Sequence, residues 1–336
     1  MHAIAILGAG MMGNVHAKAH RAIDQRNSLW IVDPVESRAK AISEKHGATV
    51  ASFEEVLGNG GIDIVDICTP TFTHREFAVR ALEAGKHVFC EKPIALNIED
   101  ARAMNEAAKK SGRKFMVGHV VRFFSQYTKV GELAAAGDVG KIIMARLYRG
   151  GSFPSHGIDN WFADTNKSGG VFVDLSIHDF DFLRKLLGPV KTVEARSVAL
   201  SSERKQDSFD HGMAILRFES GALAHIEGSW AEPAGMPVNF GTFYEFVGTK
   251  GMITNSYERE TTLRLQTLTD GKQKYSQENP AYLDPYTDEL KSFILSIEED
   301  REVPVSGQEA IESLRVALAA NLSAKLLRPV ELSEVL

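Results

Sequence analysis

The chain has little cysteine: Cys68 and Cys90 are its only two among 336 residues, too few for a disulfide framework. Both fall in apolar segments that read as strands, so they read as buried free thiols, with a disulfide or a metal pair as the alternative. Positive charge is not in excess either. Lys and Arg number 38 against 44 Asp and Glu, for a net charge of −6, and the signs are interspersed. No basic face for nucleic acid follows from this, and no DNA or RNA partner is expected. No apolar run approaches the roughly 20 residues that span a bilayer, so no membrane association is expected. The N-terminal apolar stretch is only strand-long and flows into a glycine loop, unlike a signal peptide, and a cytoplasmic location is expected. Repeats and low-complexity segments are missing as well. The length suits two domains, each with its own core.

What is present begins at once. Residues 3–7 form a short apolar strand that runs into Gly8-Ala-Gly10-Met11-Met12-Gly13 and then a helix with Val15, Ala19, Ala22 and Ile23 at helical spacing. A lone G-x-G-x-x-G is weak evidence, but this one follows a strand and opens a helix. Gly8 suits the tight turn, Gly10 the approach of a pyrophosphate, and Gly13 the packing of helix on strand; free N–H groups and the helix dipole favour an anion there. An ordinary tight turn is the alternative. A second strand, residues 29–32, ends at Asp33-Pro34, twenty residues past Gly13. A carboxylate there can accept from the adenosine ribose and repels a 2′-phosphate, which favours NAD over NADP. Asp33 as a plain helix cap is the other possibility. Arg38, a helical turn further on, can pack against the adenine.

Alternating strands and helices continue to about residue 120. Ser52 and Glu55 have capping-box spacing, residues 62–68 form a fourth strand, and Thr73 to Glu76 caps a helix that Gly85 ends. Residues 87–90 form a fifth strand, Asn97 opens a helix reaching about Gly112, and residues 114–120 form a sixth strand. Six strands with intervening helices make the two halves of a Rossmann sheet. Beyond residue 120 the period shifts to alternating strands at 142–148, 192–200, 211–219, 222–230 and 242–247, with a hairpin turn at Glu219-Ser-Gly221. One helix, residues 173–187, interrupts them, and two close the chain near 286–298 and 307–326, the last opened by Ser306 and Glu309. The expected fold class is therefore α/β plus α+β: an N-terminal Rossmann parallel sheet in residues 1–120 and an open, predominantly antiparallel sheet in residues 121–336.

Two further groups carry chemistry. Glu91-Lys92-Pro93 follows the fifth strand and stands at the carboxyl edge of the parallel sheet; read alone, Lys92 could be a surface lysine at a strand end. Asp174 and His178, spaced i, i+4, share one face of the interrupting helix. The imidazole has a reference pKa near 6.5, suited to taking a hydroxyl proton, although such pairs are more often solvated or capping. Upstream, the loop from His156 to Trp161 offers polar groups and an aromatic wall, or is an ordinary loop with Trp161 in the core.

In order and spacing, Gly8-x-Gly10-x-x-Gly13, Cys68-Thr69-Pro70-Thr-Phe-Thr-His74, Glu91-Lys92-Pro93 and Asp174-x-x-x-His178 resemble the Gfo/Idh/MocA oxidoreductases, the glucose–fructose oxidoreductase and inositol dehydrogenase family. The likeness extends to the segments 283–293 and 303–307, though Leu175-Ser176-Ile177 stands where many members have a glycine before the histidine. The resemblance implies hydride exchange between NAD and a secondary hydroxyl of a sugar or cyclitol, with inositol as the best single guess and no metal. It implies that Lys92, Asp174 and His178 are catalytic and also contact substrate. The cofactor would be held by Gly8, Gly10, Met11, Met12, Gly13, Asp33, Pro34, Arg38, Thr69, Pro70, His74, Glu91 and Lys92, and substrate additionally by Arg122, Asp159, Asn160 and Trp161. A homo-oligomer, tetramer or dimer, would form through the open sheet. Two alternatives remain: a dinucleotide-binding sensor without turnover, as the galactose-pathway repressor of the same superfamily is, and an NAD-using, redox-neutral sugar hydrolase.

Overall fold

The computed structural model describes residues 1–154, 157–200, 209–233, 240–255, 263–269, 272–278 and 284–336, so His156 and Leu283, named above, lie outside it. The chain divides into two compact units, Met1–Val120 with Asp284–Leu314, and Val121–Leu283 with Arg315–Leu336.

In the first unit, β1 (Ala3–Leu7), β2 (Ser28–Val32), β3 (Thr49–Val50), β4 (Ile64–Ile67), β5 (His87–Glu91) and β6 (Phe115–Gly118) form one parallel sheet in the order 3-2-1-4-5-6. Helices cover both faces, so the central strands are almost continuously apolar; Ile4, Ile6, Ile64, Val65, Val88 and Phe89 are fully buried. The covering helices are α1 (Met11–Ile23), α2 (Glu36–His46), α3 (Phe53–Gly58), α4 (His74–Glu83) and α5 (Ile98–Ser111). Strand order reverses between β1 and β4, which opens a crevice at the carboxyl ends where such sheets bind ligands. Local signals act as the residues suggest at α3, where Ser52 and Glu55 form a reciprocal capping box, and at α5, where the Asn97 side chain accepts from Asp100 N–H. At α4 they do not. Thr73 makes no side-chain cap, because it lies in helical rather than extended backbone at φ −104° and ψ −9°; its hydroxyl donates to Pro70 O at 2.7 Å.

The first unit also takes in Asp284–Leu314, which a boundary at residue 120 assigns to the second. Apolar faces explain the difference: the helix Pro285–Glu298 packs on α1, Phe293 lies 5.7 Å from Phe89 ring to ring, and Val117 N–H on β6 donates to Val305 O.

The second unit holds β7 (Ile142–Gly151), β8 (Val190–Val198), β9 (His211–Phe218), β10 (Leu223–Ser229), β11 (Phe240–Gly248), β12 (Gly251–Asn255), β13 (Leu263–Thr269), β14 (Lys272–Glu278) and β15 (Val330–Glu331). Their order is 14-13-12-11-7-10-9-8-15, antiparallel except for the parallel β7–β10 pair. Five of these strands answer to the alternation in the sequence. The ribbon β12–β14 does not: β12 buries only Ile253 and Asn255, and β14 reads Lys-Gln-Lys-Tyr-Ser-Gln-Glu with most residues exposed, so it has no buried face to write a period of two. On β9, Gly212, Ala214, Leu216 and Phe218 turn inward, while Met213 and Ile215 are exposed.

The expected single helix at 173–187 is broken. Gly170–Asp174 ends, Leu175 and Ser176 intervene, and Ile177–Leu187 begins. Both Leu175 and Ser176 donate N–H to Val171 O, the second across five residues, before Asp179 and Phe180 restart the ladder on Ser176 O. This widened turn separates Asp174 from the helix of His178, so the two do not share one regular helix face; such π-type turns are frequent at functional sites. Two buried ion pairs anchor the second helix: Arg149 with Asp179 at 2.8 Å and Arg122 with Asp181 at 2.6 Å. Removing one partner of such a pair would strand a buried charge, at a cost of about 3–5 kcal/mol.

Candidate functional site

The glycine loop joins β1 to α1. Gly8 has φ +99°, and a Cβ there would sit 2.8 Å from Cys68 O; one on Gly13 would sit 1.9 Å from Gly8 O. Only glycine allows helix and loop to meet this closely. Gly10 differs: nothing lies within 4 Å of its Cβ position, which leaves the open approach a pyrophosphate needs at the helix N-terminus. Met11, just after it, is 56% exposed, and Met12 is half-buried. Asp33 follows β2 directly and braces this loop. Its Oδ2 accepts from Ala9 N–H at 2.7 Å and its Oδ1 from Val35 N–H at 2.8 Å, which leaves each oxygen a lone pair for a ribose hydroxyl. Pro34 is exposed and Arg38 half-buried in the first turn of α2. These residues fit a dinucleotide: a cradle with no room for side chains, an open glycine, and an acceptor at the right strand end.

Beyond β4, Thr69 and Pro70 are half-buried at the same sheet edge. His74, expected beside the cofactor, is buried and serves as a strut. Its Nδ1 lies 2.9 Å from Pro93 O and its Nε2 2.9 Å from Thr69 O, linking the loops after β4 and β5. Burial lowers its pKa, against the pull of these carbonyls. Glu91 is the last residue of β5, and Lys92, half-buried, follows it; Lys92 N–H donates to Glu91 Oε2 at 3.1 Å.

Beneath these loops is a buried polar cluster that motif reading missed. His16 Nδ1 lies 3.0 Å from both Asp66 oxygens and 3.2 Å from Cys68 Sγ. Its Nε2 lies 3.1 Å from Glu91 Oε1, an ion-pair distance without hydrogen-bond alignment. His20 Nε2 donates to Asp66 Oδ2 at 2.8 Å. Burial alone would raise the Asp66 pKa, but the two histidines outweigh it and hold the carboxyl below the usual range; burial and Asp66 push the Cys68 thiol up. Tyr286, 6.2 Å from His16 ring to ring, is pushed up to about 12 by burial and by Glu91. The signal was there to find: an aspartate inside the apolar β4 and two histidines one turn apart on α1, since buried charge requires a partner.

In the second unit, Asp174 is buried and His178 half-buried, on either side of the widened turn. Arg122 is buried against Asp181 in a bidentate pair at 2.6 and 2.7 Å. Asp159 and Asn160 are exposed and both left-handed, at φ 52° and 48°, a strained conformation for residues with side chains that is common where function imposes it. Trp161 stacks on Phe162 with centroids 3.9 Å apart, and Phe162 meets Trp230 edge-on.

Parallel sheet, strand order and glycine loop together define an oxidoreductase of the NAD-binding Rossmann type. Residues 2–119 match the model of the "Oxidoreductase family, NAD-binding Rossmann fold", and residues 127–254 match the "GFO/IDH/MocA C-terminal domain". The chain belongs to the Gfo/Idh/MocA family. A myo-inositol 2-dehydrogenase of Thermotoga maritima is 33% identical over 99% of both chains, and a scyllo-inositol 2-dehydrogenase (NAD(+)) of Bacillus subtilis is 31% identical over 98% of this chain and 95% of that one. An oxidoreductase of Agrobacterium radiobacter, solved with NAD+, L-tartaric acid and magnesium, superposes with a TM-score of 0.86 at 22% identity over 100% of this chain and 99% of that one, a likeness of fold.

Proposed function

We propose that this enzyme oxidises a secondary hydroxyl of a cyclitol or sugar with NAD, inositol 2-dehydrogenation being the reaction that fits best. The observation that carries the reading is end-to-end kinship with inositol dehydrogenases, joined to the presence of Lys92, Asp174 and His178 in this chain. Bound NAD supplies the hydride acceptor. The glycine loop and Asp33 hold the dinucleotide, with Thr69 and Pro70 bordering its nicotinamide half. His178 accepts the hydroxyl proton through its imidazole. Lys92 holds a substrate oxygen with its ammonium and stabilises the negative charge that grows there. Asp174 helps hold the substrate, while Asp159, Asn160 and Trp161 contribute polar and aromatic contacts to a polyol. Arg122 acts through Asp181, as an anchor of the His178 helix. The chain is further proposed to act as a cytoplasmic homo-oligomer, a second copy covering the outer sheet face that carries Met213, Ile215 and Leu223, which are 44%, 50% and 42% exposed.

A panel of cyclitols and sugars, each assayed with NAD and NADP for net NAD(P)H formation, tests this reading. Accumulation of NADH with myo- or scyllo-inositol is expected. Sugar breakdown without net NADH would make the enzyme a redox-neutral hydrolase, and dinucleotide binding without turnover a sensor. Sedimentation as a monomer would refute the oligomer.

A further inference from the structure

The buried ring of His16 stands between carboxylates from two different strands. Asp66 on β4 faces Nδ1 at 3.0 Å, and Glu91 at the end of β5 faces Nε2 at 3.1 Å. A neutral imidazole carries one N–H and serves only one such group; the imidazolium serves both. Burial pulls His16 toward neutrality, but the charge of Asp66 and the hydrogen bonds with Asp66 and the Cys68 thiol outweigh it and hold its pKa well above the ordinary value. The groups around the ring are Asp66 and Cys68 from β4, Glu91 from β5, His20 from α1 by way of Asp66, and Tyr286 from the helix Pro285–Glu298, with Glu289 behind Tyr286. Phe89 closes one side, edge-on at 5.6 Å. The other oxygen of Glu91 accepts the Lys92 N–H. Glu91 is also confined across the strand, where a Cβ on Gly118 would lie 3.4 Å from its carboxyl carbon.

We propose that His16 is a positioning residue for Lys92: held between Asp66 and Glu91, its imidazolium fixes the Glu91 carboxylate, which fixes the backbone from which the Lys92 side chain departs. The inference rests on the reading of Lys92 given above. The line His20, Asp66, His16, Glu91, Lys92 ties α1, which opens at the glycine loop, to the strand that presents the lysine. Register between them is set by charge and hydrogen bonds as well as by apolar packing. Without the imidazolium the two carboxylates lose the cation between them.

A double-mutant cycle on the full chain tests this, with NAD and myo-inositol as the probes. His16→Gln and Glu91→Gln are each expected to lower kcat by about tenfold or more, the scale of loss from a small misplacement of a reacting group, while the NAD affinity of the His16→Gln protein, titrated by tryptophan fluorescence, stays within about threefold. Introduced into Lys92→Ala, either change is expected to alter kcat by less than about twofold, because the effect runs through the missing side chain. A full loss in both backgrounds would overturn the proposal and make the cluster merely structural, as would unchanged kcat in the single variants. If Lys92→Ala itself leaves kcat unchanged, the role given to Lys92 fails first and the inference falls with it. Glu91→Gln, at the rim of the cluster, keeps the test open should His16→Gln not fold, which thermal unfolding reports. Stoichiometric zinc in the purified protein, lost on His16→Gln, would also overturn it, since the same side chains would then be metal ligands.

Discussion

Gly10→Ala and Gly13→Ala place the same methyl group three residues apart, yet the structure assigns them opposite consequences. At Gly13 the new Cβ would lie 1.9 Å from Gly8 O and 3.0 Å from Gly8 C, well over an ångström inside contact distance, and both atoms belong to backbone that cannot rotate away. Overpacking of this kind costs about 3 kcal/mol, at the upper end of the usual range. Alanine returns about 1 kcal/mol through its better helix propensity, so the net loss is about 2 kcal/mol. That corresponds to a fall in melting temperature of roughly 4–8 °C in the absence of cofactor. At Gly10 the Cβ meets nothing within 4 Å, and φ −82° suits any residue. Its melting temperature without cofactor should therefore match that of the parent within about 1 °C, while NAD affinity falls by about tenfold or more, a loss of at least about 1.4 kcal/mol, because the methyl stands where the pyrophosphate must approach. Thermal unfolding with and without saturating NAD separates the two. Gly10→Ala should lose part of the cofactor-induced rise in melting temperature, and Gly13→Ala should melt early in both conditions. A Gly10→Ala protein that binds NAD normally would refute the assignment of the open glycine to the pyrophosphate.

NAD should be preferred over NADP by at least about tenfold; Asp33→Ala should narrow that gap and also weaken NAD binding, since Ala9 N–H and Val35 N–H lose their acceptor, and a parent enzyme that uses both cofactors equally would contradict the ribose role. Lys92→Ala and His178→Ala should each lower turnover by about a hundredfold or more, with NAD binding retained in the His178 variant. The rate of oxidation should rise with pH on a limb that His178→Ala abolishes; an unchanged limb would move the proton to another group. His87 accepts Lys114 N–H on Nδ1 and is lowered to about 4 by burial and then by Arg113. The unfolded chain therefore takes up a proton that the folded chain refuses, so stability should fall as pH drops from about 6.5 toward 4, and His87→Gln should flatten that fall in a pH series of thermal melts.

Much of the first unit was legible because its determinants are local. An apolar strand, three glycines at fixed spacing and an acidic residue just past the next strand are read within some thirty residues, and the central strands β1, β4, β5 and β6 are buried on both faces and so almost continuously apolar. The capping box at Ser52 and Glu55 is likewise a matter of three residues. Thr73 and Glu76 have the same spacing and form no such box, because Thr73 lies in helical backbone at the end of the preceding turn rather than in the extended conformation of a cap.

Pairings between distant residues are a different matter. His16 and Glu91 belong to elements far apart in the chain, and only the order 3-2-1-4-5-6 brings α1, β4 and β5 together around one buried ring. Arg122 is paired with Asp181, distant from it in the chain, and the ring of His74 is set between carbonyls of two different loops. The widened turn at Leu175 and Ser176 has no marker in composition. By itself the sequence determined the dinucleotide loop, the two-sheet architecture and the residues available for chemistry, since hydrophobic period and backbone geometry act between near neighbours. The attachment of Asp284–Leu314 to the first unit, the strands β12 to β14 and the pairing of each buried charge were decided by tertiary structure, because the energy of burying a charge or an apolar face depends on what the rest of the fold places against it.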